Sequence, residues 1–273
     1  MKNLERYLKA TVNNAKTLDS YKRELLEMLD FINKPEEDIT LDDLNNWKDS
    51  LCGSSATLVH KINSVKRYFT FLYELDIIEK NVAKSLKAPA VHNKEKKPLT
   101  ADEVSRLIEA GKNPRDKAII SLMVSTGLRV SEMCNIKLDD VDGREIVITG
   151  KGNKQRMLYL NDKTYEYIQA YLVVRKDSNI DTLFVSNRNT KMAPRALNNT
   201  LKCLGKRAGI EDADRLHNHL MRCTNATMLL DNGVPVNRIQ IALGHSNINT
   251  TMRYAKTRNK HEIVKETMGI AMF

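Results

Sequence analysis

The chain has 273 residues, with 44 Lys+Arg against 34 Asp+Glu and a net charge of +10, which gives a pI near 9.3. At roughly 100–200 residues per domain this is one large or two modest domains. The mean hydropathy is −0.45, no run approaches the roughly 20 apolar residues of a membrane helix, and no secretory apolar run follows Met1, so the expectation is a cytoplasmic protein with no membrane partner.

Cys52, Cys134, Cys203 and Cys223 are scattered, with no close pair, and so predict reduced thiols in place of a zinc knuckle or disulfide framework. The basic excess points to a polyanion, nucleic acid first. In chain order, Leu18, Tyr21, Leu25, Met28 and Ile32 recur at steps of three and four and predict an amphipathic helix starting near Thr17. A shorter helix spans Leu41 to Ser50. Leu58, Ile62, Val65, Phe69 and Leu72 mark a third, with Ser54 or Ser55 as its N-cap after the turn at Gly53. No strand pattern precedes residue 97, so this region reads as a small helical bundle. Lys61, Lys66 and Arg67 lie along the polar side of the third helix, either as solvated charges or as contacts to DNA phosphates and base edges.

The stretch from Lys87 to Pro98 holds two prolines and no apolar periodicity, which is a linker pattern. The predicted domains are 1–90 and 99–273, joined by a linker over 91–98. Charge divides unevenly: 17 basic against 15 acidic residues up to position 97, and 27 against 19 beyond it. Past the linker, Thr100-Ala-Asp-Glu103 spells a capping box ahead of a helix through Val104, Leu107 and Ile108. Another helix runs from about Pro114 to Ser125. Glu145–Thr149 and Gln155–Leu160 are β-rich runs joined by Gly150-Lys-Gly-Asn-Lys154, a hairpin. Helices return from Thr164, with Pro194 and Pro235 in first turns and Gly233 as a terminator. The fold class is mainly α with a small antiparallel β-sheet.

Chemistry-bearing residues cluster in the second region. Arg129 follows a Thr-Gly turn, Lys151 sits at the hairpin tip, His219-Leu-Met-Arg222 opens a helix, Leu243-Gly-His245-Ser246 follows another, and Tyr254 comes next. Arginines make bidentate bonds to non-bridging phosphate oxygens, a tyrosine can be the nucleophile, and a lysine or histidine can carry the proton. Taken singly, each is an ordinary surface charge or helix tyrosine. His217 and His219 form a His-x-His pair without a carboxylate or cysteine at ligand spacing, so no metal is expected.

Thr126-Gly-Leu-Arg-Val-Ser-Glu132, Gly150-Lys-Gly-Asn-Lys-Gln-Arg156, His219-Leu-Met-Arg222, Leu243-Gly-His-Ser246 and Tyr254 stand in an order and spacing that resemble the tyrosine recombinase (phage integrase) family, in particular its compact Xer-like members. The resemblance covers essentially the whole chain. It implies an N-terminal helical core-binding (SAM-like) domain and a C-terminal catalytic domain that form a C-shaped clamp on double-stranded DNA at specific sites, with four protomers on two duplexes. It further implies that Tyr254 attacks the scissile phosphate, that Arg129 and Arg222 clamp it, and that Lys151 protonates the leaving 5′-oxygen. His219 would assist proton transfer at the tyrosine, and His245 would bond the phosphate. The phosphotyrosyl bond would conserve energy, so no cofactor is implied.

Glu132 is then a candidate to orient Arg129, Lys154 the reserve acid or a phosphate contact, and Arg156 a further DNA contact. The chain departs from the family pattern at Met221 and at Arg222-Cys-Thr-Asn225, which bears on local packing. The apolar terminus from Ile263 to Phe273 is expected to dock, in cis or, as the resemblance implies, on the next protomer. A type IB topoisomerase and a non-catalytic DNA-binding regulator are the alternatives, and an accessory protein is compatible with all of this.

Overall fold

Apolar spacing and caps account for most of the helices. The computed structural model describes residues 2–11, 15–91, 97–150, 154–175, 179–244 and 251–252, and the chain divides into two compact units, Met1–Lys94 and Glu95–Phe273. The first contains α1 (Lys2–Thr11), α2 (Ala15–Ile32), α3 (Leu41–Ser50) and α4 (Ser55–Glu74). Leu25 and Met28 of α2 pack with Trp47 of α3 and with Ile62, Val65 and Phe69 of α4. Thr40 caps α3 in a reciprocal box with Asp43, and Ser54 caps α4 by accepting from the Thr57 N–H at 3.3 Å. The sequence reading had no helix over α1. Its Leu4, Tyr7 and Leu8 are nonetheless buried, and the Tyr7 ring meets Tyr68 and Phe71 edge-on at 5.2 and 5.3 Å.

The second unit runs α5 (Ala101–Glu109), α6 (Pro114–Thr126), α7 (Val130–Asn135), β1 (Val141–Asp142), β2 (Glu145–Thr149), β3 (Gln155–Tyr159), α8 (Asp162–Val174), α9 (Pro194–Arg207), α10 (Asn218–Asp231) and α11 (Val236–Leu243). Thr100 and Glu103 form the expected capping box on α5. Ala118, Ile119, Ile120, Leu122 and Met123 bury α6 nearly all round, as befits a core helix, and it packs on α5, α8 and α10. Pro194 opens α9, whereas Pro235 stands at the N-cap of α11, one position before its first turn. Gly233, at φ +75, follows the end of α10.

The sheet is antiparallel in the order β1-β2-β3, with β1 a two-residue addition to the expected hairpin. Ile146 pairs with Leu158 and Ile148 with Arg156. Strand alternation therefore puts Arg156 on the face of Leu158 and Ile148, both turned to the core, while Met157 and Tyr159 face out. No disulfide joins the cysteines among the described residues, Cys52 and Cys203 being exposed and Cys134 and Cys223 buried. Burial pushes the Cys134 thiol up to about 11, against a weaker pull from Lys191. No helix among the described residues is long and apolar enough to cross a membrane.

Candidate active site

The end of α6 sets the first arginine in place. Gly127 takes the left-handed conformation at φ +59, and a Cβ there would lie 2.6 Å from Leu243 Cδ2 and 2.8 Å from Asn225 Oδ1. Only glycine combines that φ with that approach. The chain reverses, Leu128 drops into the core, and Arg129 becomes the N-cap of α7. Its backbone N–H donates to Glu132 Oε2 at 2.9 Å and its Nη1 to Oε1 at 2.8 Å. Its Nη2 donates to the Gly244 carbonyl at 3.0 Å, and the side chain remains 40% exposed.

Arg222 enters from α10 and is buried, donating from Nη1 to the Gly127 carbonyl at 2.7 Å and from Nη2 to the Leu243 carbonyl at 2.5 Å. Leu243 and Gly244 close α11, with Gly244 left-handed at φ +64. Helix-terminal carbonyls lack intrahelical partners and sit at the negative end of the helix dipole, so two cations are well matched to them. The two arginines thus meet at consecutive carbonyls leading directly into His245.

The departures from the family pattern are accounted for by the same packing. Asn225 donates from Nδ2 to the Val124 and Ser125 carbonyls at 2.7 and 3.0 Å, satisfying carbonyls in the last turn of α6. Thr224 Oγ1 accepts from the Leu99 N–H at 3.0 Å, and Cys223 packs with Leu230, Ile239 and Leu243. Asn218 Nδ2 holds the Leu128 carbonyl at 3.0 Å.

Glu132 is buried between two guanidinium groups. Arg156 Nη1 and Nη2 donate to its Oε1 and Oε2 at 3.2 and 2.9 Å. Burial raises the pKa of this carboxyl, but Arg156 and then the Arg129 backbone and side chain outweigh it and hold the group below the ordinary carboxylate range. Arg156, expected as a DNA contact, is turned inward by the strand register and pairs with Glu132, and its side chain is 17% exposed. The inward alternation of Arg156, Leu158 and Leu160 was the signal in the sequence that could have found this.

His219 is exposed on the first turn of α10, its ring 6.1 Å from that of His217, whose Nδ1 lies 2.5 Å from the Arg215 carbonyl. Among the described residues no group of three or more His, Cys, Asp or Glu is placed to hold a metal ion. Lys154 is exposed, and its carbonyl accepts from the Gly150 N–H at 2.8 Å below the hairpin tip. Lys151, His245, Tyr254 and the apolar terminus lie outside the described residues. In the first unit, Lys61 Nζ bonds Glu27 Oε1 at 2.6 Å, Arg67 Nη1 bonds the Tyr21 hydroxyl at 2.5 Å, and Lys66 Nζ reaches the Lys84 carbonyl at 3.5 Å.

Residues 97–261 match the Phage integrase family. Tyrosine recombinase XerA of Pyrococcus horikoshii is 38% identical over 206 residues, 73% of this chain and 69% of that protein. Tyrosine recombinase XerC of Thermodesulfovibrio yellowstonii is 30% identical over 269 residues, 92% and 89% of the two chains. The crystal structure of the XerH site-specific recombinase, bound to a palindromic difH substrate in a post-cleavage complex, shares the fold at a TM-score of 0.77 and 22% identity, covering 98% of this chain and 83% of that one. The chain belongs to the phage integrase family. It is a tyrosine recombinase, and its activity is site-specific DNA recombination.

Proposed function

We propose that the chain binds double-stranded DNA at specific recombination sites in the cytoplasm, assembles there as a tetramer, and exchanges strands through a Holliday junction by way of a 3′-phosphotyrosyl intermediate. The Tyr254 phenolic oxygen forms a bond to phosphorus, giving up its proton with the help of His219, while the bond to the 5′-oxygen breaks and that oxygen takes a proton from Lys151. Arg129, Arg222 and His245 stabilise the charge gathering on the non-bridging oxygens. Attack by a partner strand's 5′-hydroxyl reverses the sequence, so the steps balance without an energy source.

The observation that carries this reading is the convergence of Arg129 and Arg222 on the carbonyls of Gly244 and Leu243. It gives two guanidinium groups one common frame at the end of α11. The residues 1–90 are proposed as the core-binding domain, where Lys61 and Arg67 would exchange their present partners for phosphates.

The deciding experiment is a suicide substrate on a denaturing gel, followed by a two-duplex joining assay. A covalent adduct with the wild-type chain, none with Tyr254→Phe, and joined duplexes are expected, all in excess chelator. An adduct with Tyr254→Phe would reassign the nucleophile. Supercoil relaxation without joining would indicate a topoisomerase, and binding alone a regulator.

A further inference from the structure

We infer that Arg156 is a positioning residue for DNA cleavage, fixing the orientation of Arg129 through Glu132 and the Gly244 turn. The inference rests on the role proposed above for Arg129. Arg156 spans both oxygens of Glu132, Nη1 to Oε1 at 3.2 Å and Nη2 to Oε2 at 2.9 Å, and such a two-point contact fixes the plane of the carboxylate. The same two oxygens receive the Arg129 guanidinium and backbone N–H at 2.8 and 2.9 Å. The Arg156 guanidinium also lies against Gly244, where a Cβ would stand 3.4 Å from its Cζ and Nη1. The carbonyl of Gly244 is the other anchor of Arg129. Both anchors therefore bear on one guanidinium, and that guanidinium is carried by the strand that leaves the Lys151 hairpin.

Stability is a poor reason for an arginine here. Its face of the sheet is otherwise apolar, and a buried ion pair is commonly no better than packed aliphatic side chains. Its Nε is buried with no acceptor among the described residues, which costs free energy. A lysine would keep the charge but could not make two parallel bonds.

The test is single-turnover cleavage by the full chain at saturating protein, for wild type, Arg156→Gln, Arg156→Lys, Arg129→Ala and the Arg129→Ala/Arg156→Gln pair. Two substrates are compared: an ordinary site, and one in which methyl replaces a non-bridging oxygen of the scissile phosphate and so removes the charge that Arg129 meets. Arg156→Gln is expected to cleave the ordinary site about 100-fold more slowly, the scale of a small misplacement of a reacting group. Arg156→Lys should recover little of that loss, and the pair should be no slower than Arg129→Ala alone. On the methyl substrate the defects of Arg129→Ala and Arg156→Gln should shrink together. Equal loss on both substrates, additive loss in the pair, or full rescue by lysine would overturn the inference. Thermal unfolding checks folding; if Arg156→Gln does not fold, Arg156→Lys, which keeps a charge beside Glu132, carries the test alone and in the pair with Arg129→Ala, with the same expected loss on the ordinary site and the same shrinkage on the methyl substrate. Failure of the wild-type chain to form an adduct on either substrate would instead overturn the functional reading itself.

Discussion

Both compact units carry surface ion pairs, Arg106–Asp102 and Lys206–Asp214 among those of the second, but the second also turns arginines inward at its site. In Met1–Lys94 the cations meet partners near the surface: Lys34 on Asp43, Lys61 on Glu27, Arg67 on the Tyr21 hydroxyl. Exposed pairs of this kind are worth about 0–1 kcal/mol and are screened by salt, so a DNA phosphate can take the carboxylate's place at small cost. In Glu95–Phe273 the Arg222 side chain is buried and Arg156 is half-buried, and the two are committed to backbone carbonyls and to both oxygens of Glu132. Exchange there would leave a charge unpaired in the interior. The larger basic excess beyond residue 97 therefore does not translate into a larger number of cations available to a ligand, because part of it builds the frame of the site.

That contrast can be broken by mutation, most severely at Arg222. Arg222→Ala should lower cleavage by about 1,000-fold, the scale of a lost charge-stabilising donor. It should also cost about 1–3 kcal/mol in denaturant unfolding, since the Gly127 and Leu243 carbonyls lose their partner. Near-normal cleavage would mean that a buried cation is no more essential than a surface one.

Glu132→Ala should come next, at up to about 3–5 kcal/mol of stability, because it takes the carboxylate from the half-buried Arg156 guanidinium. Here pH adds a check. The Glu132 carboxyl is held below its ordinary value of 4.5, so its contribution is fully present above that value and is lost as pH falls through the depressed one. Glu132→Gln should therefore flatten the acid limb of stability against pH; an unchanged acid limb would place the acid sensitivity elsewhere.

Lys151→Ala should slow cleavage at least about 100-fold, the usual scale of a general acid, and recover when sulfur replaces the bridging 5′-oxygen. Rescue of Lys154→Ala in its place would move the role to that residue. The smallest effects belong to the first unit. Lys61→Ala and Arg67→Ala should each reduce the slope of log affinity against log salt by about 1 while leaving cleavage at saturating protein unchanged. No change in slope would confine both side chains to their present partners.

The helices with strong periodicity and side-chain caps were legible: α3 and α4 begin where Thr40 and Ser54 place them, and Thr100 starts α5. Helix α1 was overlooked although Leu4, Tyr7 and Leu8 recur at steps of three and four, because the run is only ten residues long; its Tyr7 packs on Tyr68 and Phe71, a contact across more than half of the unit. Strand β1 is two residues long and exists only by pairing with β2. At the site, Arg129, Glu132 and Arg222 were legible as a set because their motifs have fixed spacing. The inward turn of Arg156 was signalled only by its alternation with Leu158 and Leu160, which a motif rich in lysine masks until the strand register is known. The roles of Asn218 and Asn225 in holding carbonyls at Leu128, Val124 and Ser125 depend on tertiary closure, which sequence spacing does not encode.

The distribution of thiols offers a practical measurement. Each compact unit carries one exposed cysteine, Cys52 in the first and Cys203 in the second, while Cys134 and Cys223 are shielded. A mixture of donor and acceptor maleimides on the native chain therefore labels both units, and the singly substituted Cys52→Ser and Cys203→Ser chains supply the controls. Energy transfer between a donor at one and an acceptor at the other then reports, in real time, whether the units change separation when a recombination site is added.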